Sequence, residues 1–343
     1  MNTTASTIFF GEDGFAALDQ YLSNNQPSKT FVLVDENTGA CIPAFAEKLT
    51  ALDPDFEILE IPSGEESKSL ELVNQLWLTL LEHGADRNAL IINLGGGVVG
   101  DIGGFVASTY KRGIPFIQVP TSLLAMVDAS VGGKTGINIG GLKNQVGTFS
   151  QPDMVVVDAS FLSSLPEEEW ASGHGEMIKH ALLTGTDWPE VLSWTANDDL
   201  QEEIKRSVAM KAAVVESDFK ESGLRKILNL GHTFGHAWES LMHSKGNGIS
   251  HGRAVIQGLH VALVLSQQQG LQAELAKRYP WANVLMKDFE VLWHHQLADK
   301  KNENGEVQFV LLERLGAPTF GNPVSIETWS AALLWLNQSP DAR

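Results

Sequence analysis

Five short β-rich runs recur through the first 160 residues: KTFVLVD (29–35), FEILEIP (56–62), ALIINLG (89–95), PFIQVP (115–120) and DMVVVD (153–158). Helix-like stretches such as SLELVNQLWLTLLEHG (69–84) fall between them. Strands alternating with helices predict a largely parallel sheet covered on both faces. From about residue 160 the pattern changes to helical periodicity, in EEEWASGHGEMIKHALLTG, DDLQEEIKRSVAMKAAVVES, LRKILNLGHTFGHAWESLM and GRAVIQGLHVALVLSQQQG. Only VQFVLL (307–312) reads as a strand in that half. The expected architecture is a Rossmann-like α/β domain over residues 1–160 and a mainly α-helical domain over 161–343. A chain of 343 residues, 43% hydrophobic, has the length and apolar content for two such cores.

Several classes of function are excluded early. The apolar runs are short and broken by Gly, Ser or charge, so no membrane-spanning segment is expected. The N-terminus, MNTTASTIFFGEDG, lacks the basic and apolar regions of a signal peptide. A single cysteine, Cys41, leaves no disulfide framework and no thiolate metal site. A cytoplasmic protein is expected. The net charge of −18 repels nucleic acid and anionic lipid. An anionic small molecule would therefore need basic residues gathered locally.

IINLGGGVVGDIGGFVAS (91–108) reads as a buried strand, a glycine cluster and a helix. Glycines let backbone approach a phosphate, and the helix N-terminus offers free N–H groups and a positive dipole end. That is the logic of a dinucleotide site, although the spacing is not G-x-G-x-x-G. Asp35 and Asn37 lie at a strand end, where an acid commonly holds a ribose hydroxyl. Glu65 and Lys68 follow the next strand. In VPTSLLAMVDASVGGKTGINIGGLKNQVG (119–147), Lys134, Lys143 and Asn144 each follow glycines, and Asp128 sits in an apolar run. Buried there, a carboxylate demands a partner. A flexible glycine loop bearing ammonium groups suits a small phosphorylated or carboxylated ligand. A nucleoside-triphosphate P-loop is rejected, because Asp128 occupies the position of its first glycine.

In the helical half, GHGEMIKH (173–180) puts Glu176 and Lys179 on one helix face, and NLGHTFGH (229–236) does the same for His232 and His236. With His251 they make a carboxylate and imidazole set of the kind that holds a catalytic zinc with an open position. Spacing alone does not select three ligands, because His174, His180, His243 and His260 are rivals.

Together, GGGVVGD, YKRGIPFIQVPTSLLAMVDASVGGKTGIN, LKNQVG, GEMIK, LRKILNLGHTFGHAWE, HGRAV and DKK closely resemble the 3-dehydroquinate synthase family, in order and spacing and over most of the chain. The resemblance implies conversion of 3-deoxy-D-arabino-heptulosonate 7-phosphate to 3-dehydroquinate and phosphate, a shikimate-pathway step leading to aromatic amino acids. It implies NAD as a recycled oxidant, a divalent metal (zinc or cobalt) and a homodimer. The implied metal ligands are Glu176, His232 and His251, with His236 on the substrate side. The implied NAD contacts are Asp35, Asn37, Glu65, Lys68, Gly96, Gly97, Val98, Asp101, Thr121, Ser122, Leu124, Lys143 and Ser164. The implied substrate contacts are Asp128, Lys134, Asn144, Lys179, Lys211, Arg225, Asn229, His236 and, within DKK, Lys300 in preference to Lys301. Arg112 would reach a neighbouring subunit's site. Six of the implied substrate contacts, Arg112 included, are cations, in a chain with only 24 Lys and Arg.

The sequence departs from the family pattern at three places. Gly175 stands where Ala is frequent, Ser122 where Thr is frequent, and Arg253 where HGE is common. Arg253 is expected to change the charge beside His251. Other readings are an amino-dehydroquinate synthase or another sugar-phosphate cyclase, an NAD- and metal-dependent polyol dehydrogenase, and a scaffold protein without activity. The lysine loop argues against the dehydrogenase, because a simple alcohol needs no phosphate cradle. The full set of ligands and cations argues against the scaffold.

Overall fold

The computed structural model describes residues 7–140, 142–297 and 306–342. Its strands are β1 (Thr7–Phe10), β2 (Thr30–Asp35), β3 (Glu57–Ile61), β4 (Leu90–Gly95), β5 (Phe116–Pro120), β6 (Lys134–Ile139), β7 (Leu142–Phe149), β8 (Met154–Val157), β9 (Val307–Arg314) and β10 (Ala317–Val324). Its helices are α1 (Gly11–Asn25), α2 (Ile42–Ala46), α3 (Leu70–Glu82), α4 (Gly97–Thr109), α5 (Glu167–Thr184), α6 (Gln201–Ser217), α7 (His232–Ser244), α8 (His251–Leu265), α9 (Gln269–Arg278), α10 (Phe289–Leu297) and α11 (Ile326–Gln338).

Six strands form one parallel sheet in the order β1-β8-β5-β4-β2-β3. Every residue of β2 and β4 is buried, as the continuous apolar runs require when helices cover both faces. The five expected strands are all present within a residue of their predicted bounds. Phe31, Leu33, Ile91, Ile102 and Phe116 join Leu76 and Leu80 of α3 in one core. Each side chain of this size contributes about 1.5–3 kcal/mol on full burial. Ser69 caps α3, its hydroxyl accepting from the Leu72 N–H at 3.2 Å. Strands β2 and β4 are neighbours, but β2 leads on to β3 and β4 leads on to β5, in opposite directions across the sheet. This divergence is a switch point, and the crevice beyond the strand ends there is where open α/β sheets bind ligands. Asp35 ends β2 and Gly95 ends β4.

The stretch 119–147 is more ordered than a flexible glycine loop. Residues Ala125–Ala129 form a single wide helical turn, and β6 and β7 pair as an antiparallel hairpin. A methyl group on Gly147 would lie 2.1 Å from the Thr135 carbonyl oxygen, so only glycine permits this pairing distance. The short strand β1, at the sheet edge, was not among the expected strands.

The chain divides into two compact units. The first runs to Pro166 and takes back Asp199–Phe219; the second comprises Glu167–Asp198 and the chain from Lys220. A single cut at 160/161 does not contain this return, because α6 carries Lys211 to Asp128 in the first unit. In the second unit α7, α8, α10, α11 and β9 enclose an aromatic core of Phe234, Trp238, Trp281, Phe309 and Trp329. As expected, β9 covers VQFVLL; its hairpin partner β10 carries Gly321 and two prolines, which hide it from a strand pattern.

Candidate active site

The first unit gathers two sets of the expected residues. At the switch point, Gly96 precedes α4, and no side chain caps that helix. Its first N–H groups therefore remain available to an anion. A Cβ on Gly96 would lie 3.5 Å from Ser122 Oγ, and one on Gly97 would lie 3.3 Å from Ala129, so glycine keeps the cradle open. Val98 follows in the first turn of α4. Thr121 donates its N–H to the Gly95 carbonyl at 3.0 Å, and Ser122 Oγ accepts from the Ala125 N–H at 3.3 Å just beyond Leu124. The residues present thus fit a pyrophosphate.

Asp35 Oδ1 accepts from the N–H groups of Asn37 and Thr38 at 3.0 and 2.9 Å, which fixes the loop after β2. Lys68, 6% exposed, places its ammonium 2.7 Å from Asp101 and 3.3 Å from Glu65. Burial works to lower the Lys68 pKa. The two carboxylates outweigh it and hold the pKa above the usual lysine value. Asn138, which sequence reasoning missed, ties this group to the hairpin. Its amide donates to Glu65 Oε1 at 3.1 Å, its carbonyl accepts from the Asn144 N–H at 2.8 Å, and its backbone N–H donates to Lys68 O at 2.7 Å.

Asp128 is half-buried, not buried as the apolar run suggested, and its partner is Lys211, whose buried ammonium lies 2.7 Å from Asp128 Oδ1. Lys134 and Lys143 are exposed on the hairpin, and Ser164 is exposed in a turn at 159–164. Arg112 is exposed and left-handed, with φ 69°. Lys300 and Lys301 lie outside the described residues.

The second unit brings the ligand candidates together. Glu176 is 0% exposed; its Oε2 pairs with Lys179 Nζ, while its Oε1 accepts no hydrogen bond among the described residues. Facing that orphaned oxygen are His232 Nε2 at 3.6 Å and His251 Nε2 at 3.8 Å. These gaps are too wide for hydrogen bonds. They are close to the roughly 3.3 Å between ligand atoms around a tetrahedral ion with bonds near 2.0–2.1 Å. The donors, one carboxylate and two neutral imidazoles, suit a borderline divalent metal. His236 stands beside them, its ring centroid 5.3 Å from that of His232, and one nitrogen from each of His232, His236 and His251 falls within 4.8 Å of the others. His232 and His251 therefore share two candidate donor sets, one completed by His236 and one by Glu176. The buried, orphaned Glu176 Oε1 favours the set that includes Glu176.

Backbone contact between helices sets these distances. A Cβ on Gly252 would lie 1.8 Å from the Ser172 carbonyl oxygen, and one on Gly175 would lie 2.6 Å from the Gly252 carbonyl oxygen. Helices α5 and α8 thus touch beside Glu176 and His251, which gives the Gly175 departure its physical reason. The helical stretch 224–242 breaks at Leu230–Gly231, so Arg225 and Asn229 lie in a separate turn and α7 begins at His232. Arg225 is 3% exposed, and the Asn229 amide donates to Glu221 Oε1 at 2.9 Å. Neither Glu221 nor the buried Glu239 was anticipated; Glu239 lies seven residues after His232, on the same helix face. His174 and His260 are structural. His174 bonds Tyr279 and the Val191 carbonyl, and His260 bonds the Tyr279 carbonyl and Gln272.

Arg253, expected to change the charge beside His251, has a carboxylate partner of its own. Its Nε donates to Glu168 Oε2 at 2.7 Å, and Ser250 donates to the other carboxylate oxygen at 2.8 Å. Burial works to raise the Glu168 pKa, but these two bonds outweigh it and hold the carboxyl below its usual value.

The chain matches known families over most of its length. A family model described as 3-dehydroquinate synthase N-terminal matches residues 58–172, and one described as 3-dehydroquinate synthase C-terminal matches residues 173–319. A 3-dehydroquinate synthase from Leptospira interrogans is 42% identical over 315 residues, covering 88% of this chain and 86% of that protein. One from Parabacteroides distasonis is 40% identical over 325 residues, covering 90% and 92%. Among solved structures, 2-deoxy-scyllo-inosose synthase complexed with carbaglucose-6-phosphate, NAD+ and Co2+ is similar with a TM-score of 0.80 and 26% identity over 95% of each chain. A probable glycerol dehydrogenase from Sinorhizobium meliloti shares the fold alone, with a TM-score of 0.59 and 15% identity. The fold, the carboxylate and histidine cluster and these matches together place the chain in the 3-dehydroquinate synthase family.

Proposed function

We propose that this chain converts 3-deoxy-D-arabino-heptulosonate 7-phosphate to 3-dehydroquinate and phosphate in the cytoplasm, as a homodimer, within the shikimate pathway. The observation that carries this reading is the buried, orphaned Glu176 Oε1 faced by two histidine nitrogens, in a chain 42% identical to a curated 3-dehydroquinate synthase. A divalent metal held by Glu176, His232 and His251 would acidify a substrate hydroxyl. NAD+ bound at the glycine turn would take up and later return a hydride, so that it is recycled.

The chain's own residues do the rest. The α4 N-terminus, Gly96, Gly97 and Val98, with Thr121, Ser122 and Leu124, hold the dinucleotide phosphates. Asp35 and Asn37 face the ribose at the end of β2. Glu65, Lys68, Asp101 and Lys143 orient the remainder of the cofactor, and Ser164 is a further contact. Lys134, Asn144, Lys179, Lys211, Arg225, Asn229 and Lys300 bind the substrate's phosphate, carboxylate and hydroxyls. Asp128 holds the Lys211 ammonium in place. Lys179 also balances the buried Glu176 carboxylate, which would be costly to bury alone. His236 stands on the substrate side, near the phosphate. Arg112 serves the site of a second subunit. With phosphate lost by β-elimination, a pocket closed to water restricts the opened ring to the conformer that recloses by aldol addition.

A related sugar-phosphate cyclase reading rests on the 0.80 TM-score to 2-deoxy-scyllo-inosose synthase, but its 26% identity is well below the 42% of the dehydroquinate relatives. Incubating metal-loaded enzyme and NAD+ with 3-deoxy-D-arabino-heptulosonate 7-phosphate, and separately with glucose 6-phosphate, decides between them. NMR of the product mixture should show 3-dehydroquinate from the first and nothing from the second. A carbocycle formed only from glucose 6-phosphate would overturn the assignment.

A further inference from the structure

Helix α7 carries more than one component of the metal cluster. His232, His236 and Glu239 recur at i, i+4 and i+7, which places them on one face. Phe234, Ala237, Trp238 and Leu241 occupy the buried apolar side. Glu239 is itself 8% exposed, and one of its carboxylate oxygens, Oε2, lies 3.3 Å from His251 Nδ1. His251 belongs to a different helix, α8, and its other nitrogen, Nε2, is the one that faces Glu176 Oε1 at 3.8 Å. Glu239 therefore stands behind the ring, on the side away from Glu176.

His232 shows the same arrangement made differently. Its Nδ1 lies 3.2 Å from the Leu230 carbonyl oxygen, and its Nε2 faces Glu176. A carbonyl oxygen and an ionised carboxylate are both acceptors only, so each requires an N–H from the ring nitrogen beside it. In a neutral imidazole, a proton on Nδ1 leaves Nε2 with its lone pair. Both rings are thus set in the same tautomer, with both lone pairs aimed at one point.

From this geometry we infer that Glu239 is a positioning residue: its carboxylate accepts the His251 Nδ1–H, fixing the tautomer and ring angle that present Nε2 to a divalent metal. The inference rests on the metal-dependent reading of the cluster. It assigns α7 two tasks, supplying His232 directly and bracing the ligand contributed by α8. Outer partners of this kind typically govern metal affinity by about 10- to 100-fold.

The test measures Zn2+ and Co2+ affinity by chelator competition on wild type, Glu239→Gln, Glu239→Leu and Glu176→Gln, together with the melting temperature of each metal-free protein. Glu239→Leu should bind at least about tenfold more weakly than wild type, and Glu239→Gln, which keeps an acceptor oxygen, should fall between them. Visible absorption of the Co2+ form should shift in Glu239→Leu. Binding within twofold of wild type in Glu239→Leu overturns the inference, and so does a Glu239→Gln protein as weak as Glu239→Leu. A metal reading that fails looks different, because wild type would then bind no stoichiometric metal or Glu176→Gln would bind as well as wild type. Should Glu239→Leu not fold, nitrogen shifts of 15N-histidine-labelled wild-type apoprotein decide, read where His251 is neutral. A protonated Nδ1 and bare Nε2 on His251 uphold the inference; the reverse tautomer overturns it.

Discussion

Gly258 lies so close to Gly231 that a methyl group on Gly258 would sit 1.7 Å from the Gly231 carbonyl oxygen. Gly231 is the residue before His232, where α7 begins. The contact is backbone against backbone, so no rotamer change relieves it. Gly258→Ala is expected to cost about 3 kcal/mol of stability and to move His232 off its line to Glu176. Chemical denaturation and Zn2+ affinity check this. A variant with unchanged melting and unchanged metal binding would show that the helices separate freely.

His232 and His236 are four residues apart on one helix but are expected to do different work. His232→Ala should abolish metal binding, because it removes one of the two nitrogens that face Glu176 Oε1. His236→Ala should retain metal and lose turnover. Metal content after dialysis, set beside the rate, separates the two. Equal metal loss in both variants would favour a three-histidine site.

Arg253 is half-buried and gives its charge to the exposed Glu168. A surface pair of this kind is worth about 0–1 kcal/mol. Arg253→Gln should therefore leave Zn2+ affinity within about threefold of wild type. A tenfold change would return Arg253 to the metal's electrostatics.

The stability of the second unit should depend on pH through His260. Its Nε2 bonds the Tyr279 carbonyl at 2.8 Å and its Nδ1 bonds the Gln272 amide at 3.0 Å, and burial pushes its pKa from 6.5 down to about 4. Above pH 6.5 the ring is neutral whether folded or unfolded, so it has no linked effect. As the pH falls below 6.5 only the unfolded chain takes up the proton. Stability then declines by about 1.4 kcal/mol per pH unit until the folded ring protonates. Urea unfolding across this range should show a shallower decline in His260→Gln than in wild type. Identical slopes would remove His260 from the account.

Much of the sheet was legible because β2 and β4 are mainly apolar, which is what burial on both faces demands. The glycine turn was legible as well, since strand, glycines and helix are contiguous in the chain. The hairpin of β6 and β7 was hidden. Its glycines at 136 and 147 read as flexibility, whereas they serve close strand approach. The return of α6 to the first unit was hidden too, because Lys211 looks like an ordinary helix-surface charge until Asp128 is seen beside it. Within the candidate site, motif resemblance located Glu176, His232 and His251, but the residues that hold them were not legible. Glu239 and Asn138 act through partners distant in sequence, His251 and Glu65, and no local pattern records such pairs.

The most direct test of the central claim counts phosphate released from 3-deoxy-D-arabino-heptulosonate 7-phosphate by metal-loaded enzyme given less NAD+ than enzyme sites. The expected result is many phosphates per NAD+, with no lasting rise in NADH absorbance, because the hydride taken in the first step is returned in a later one. No phosphate, with NADH accumulating on simple polyols, would contradict the account and make the chain a dehydrogenase.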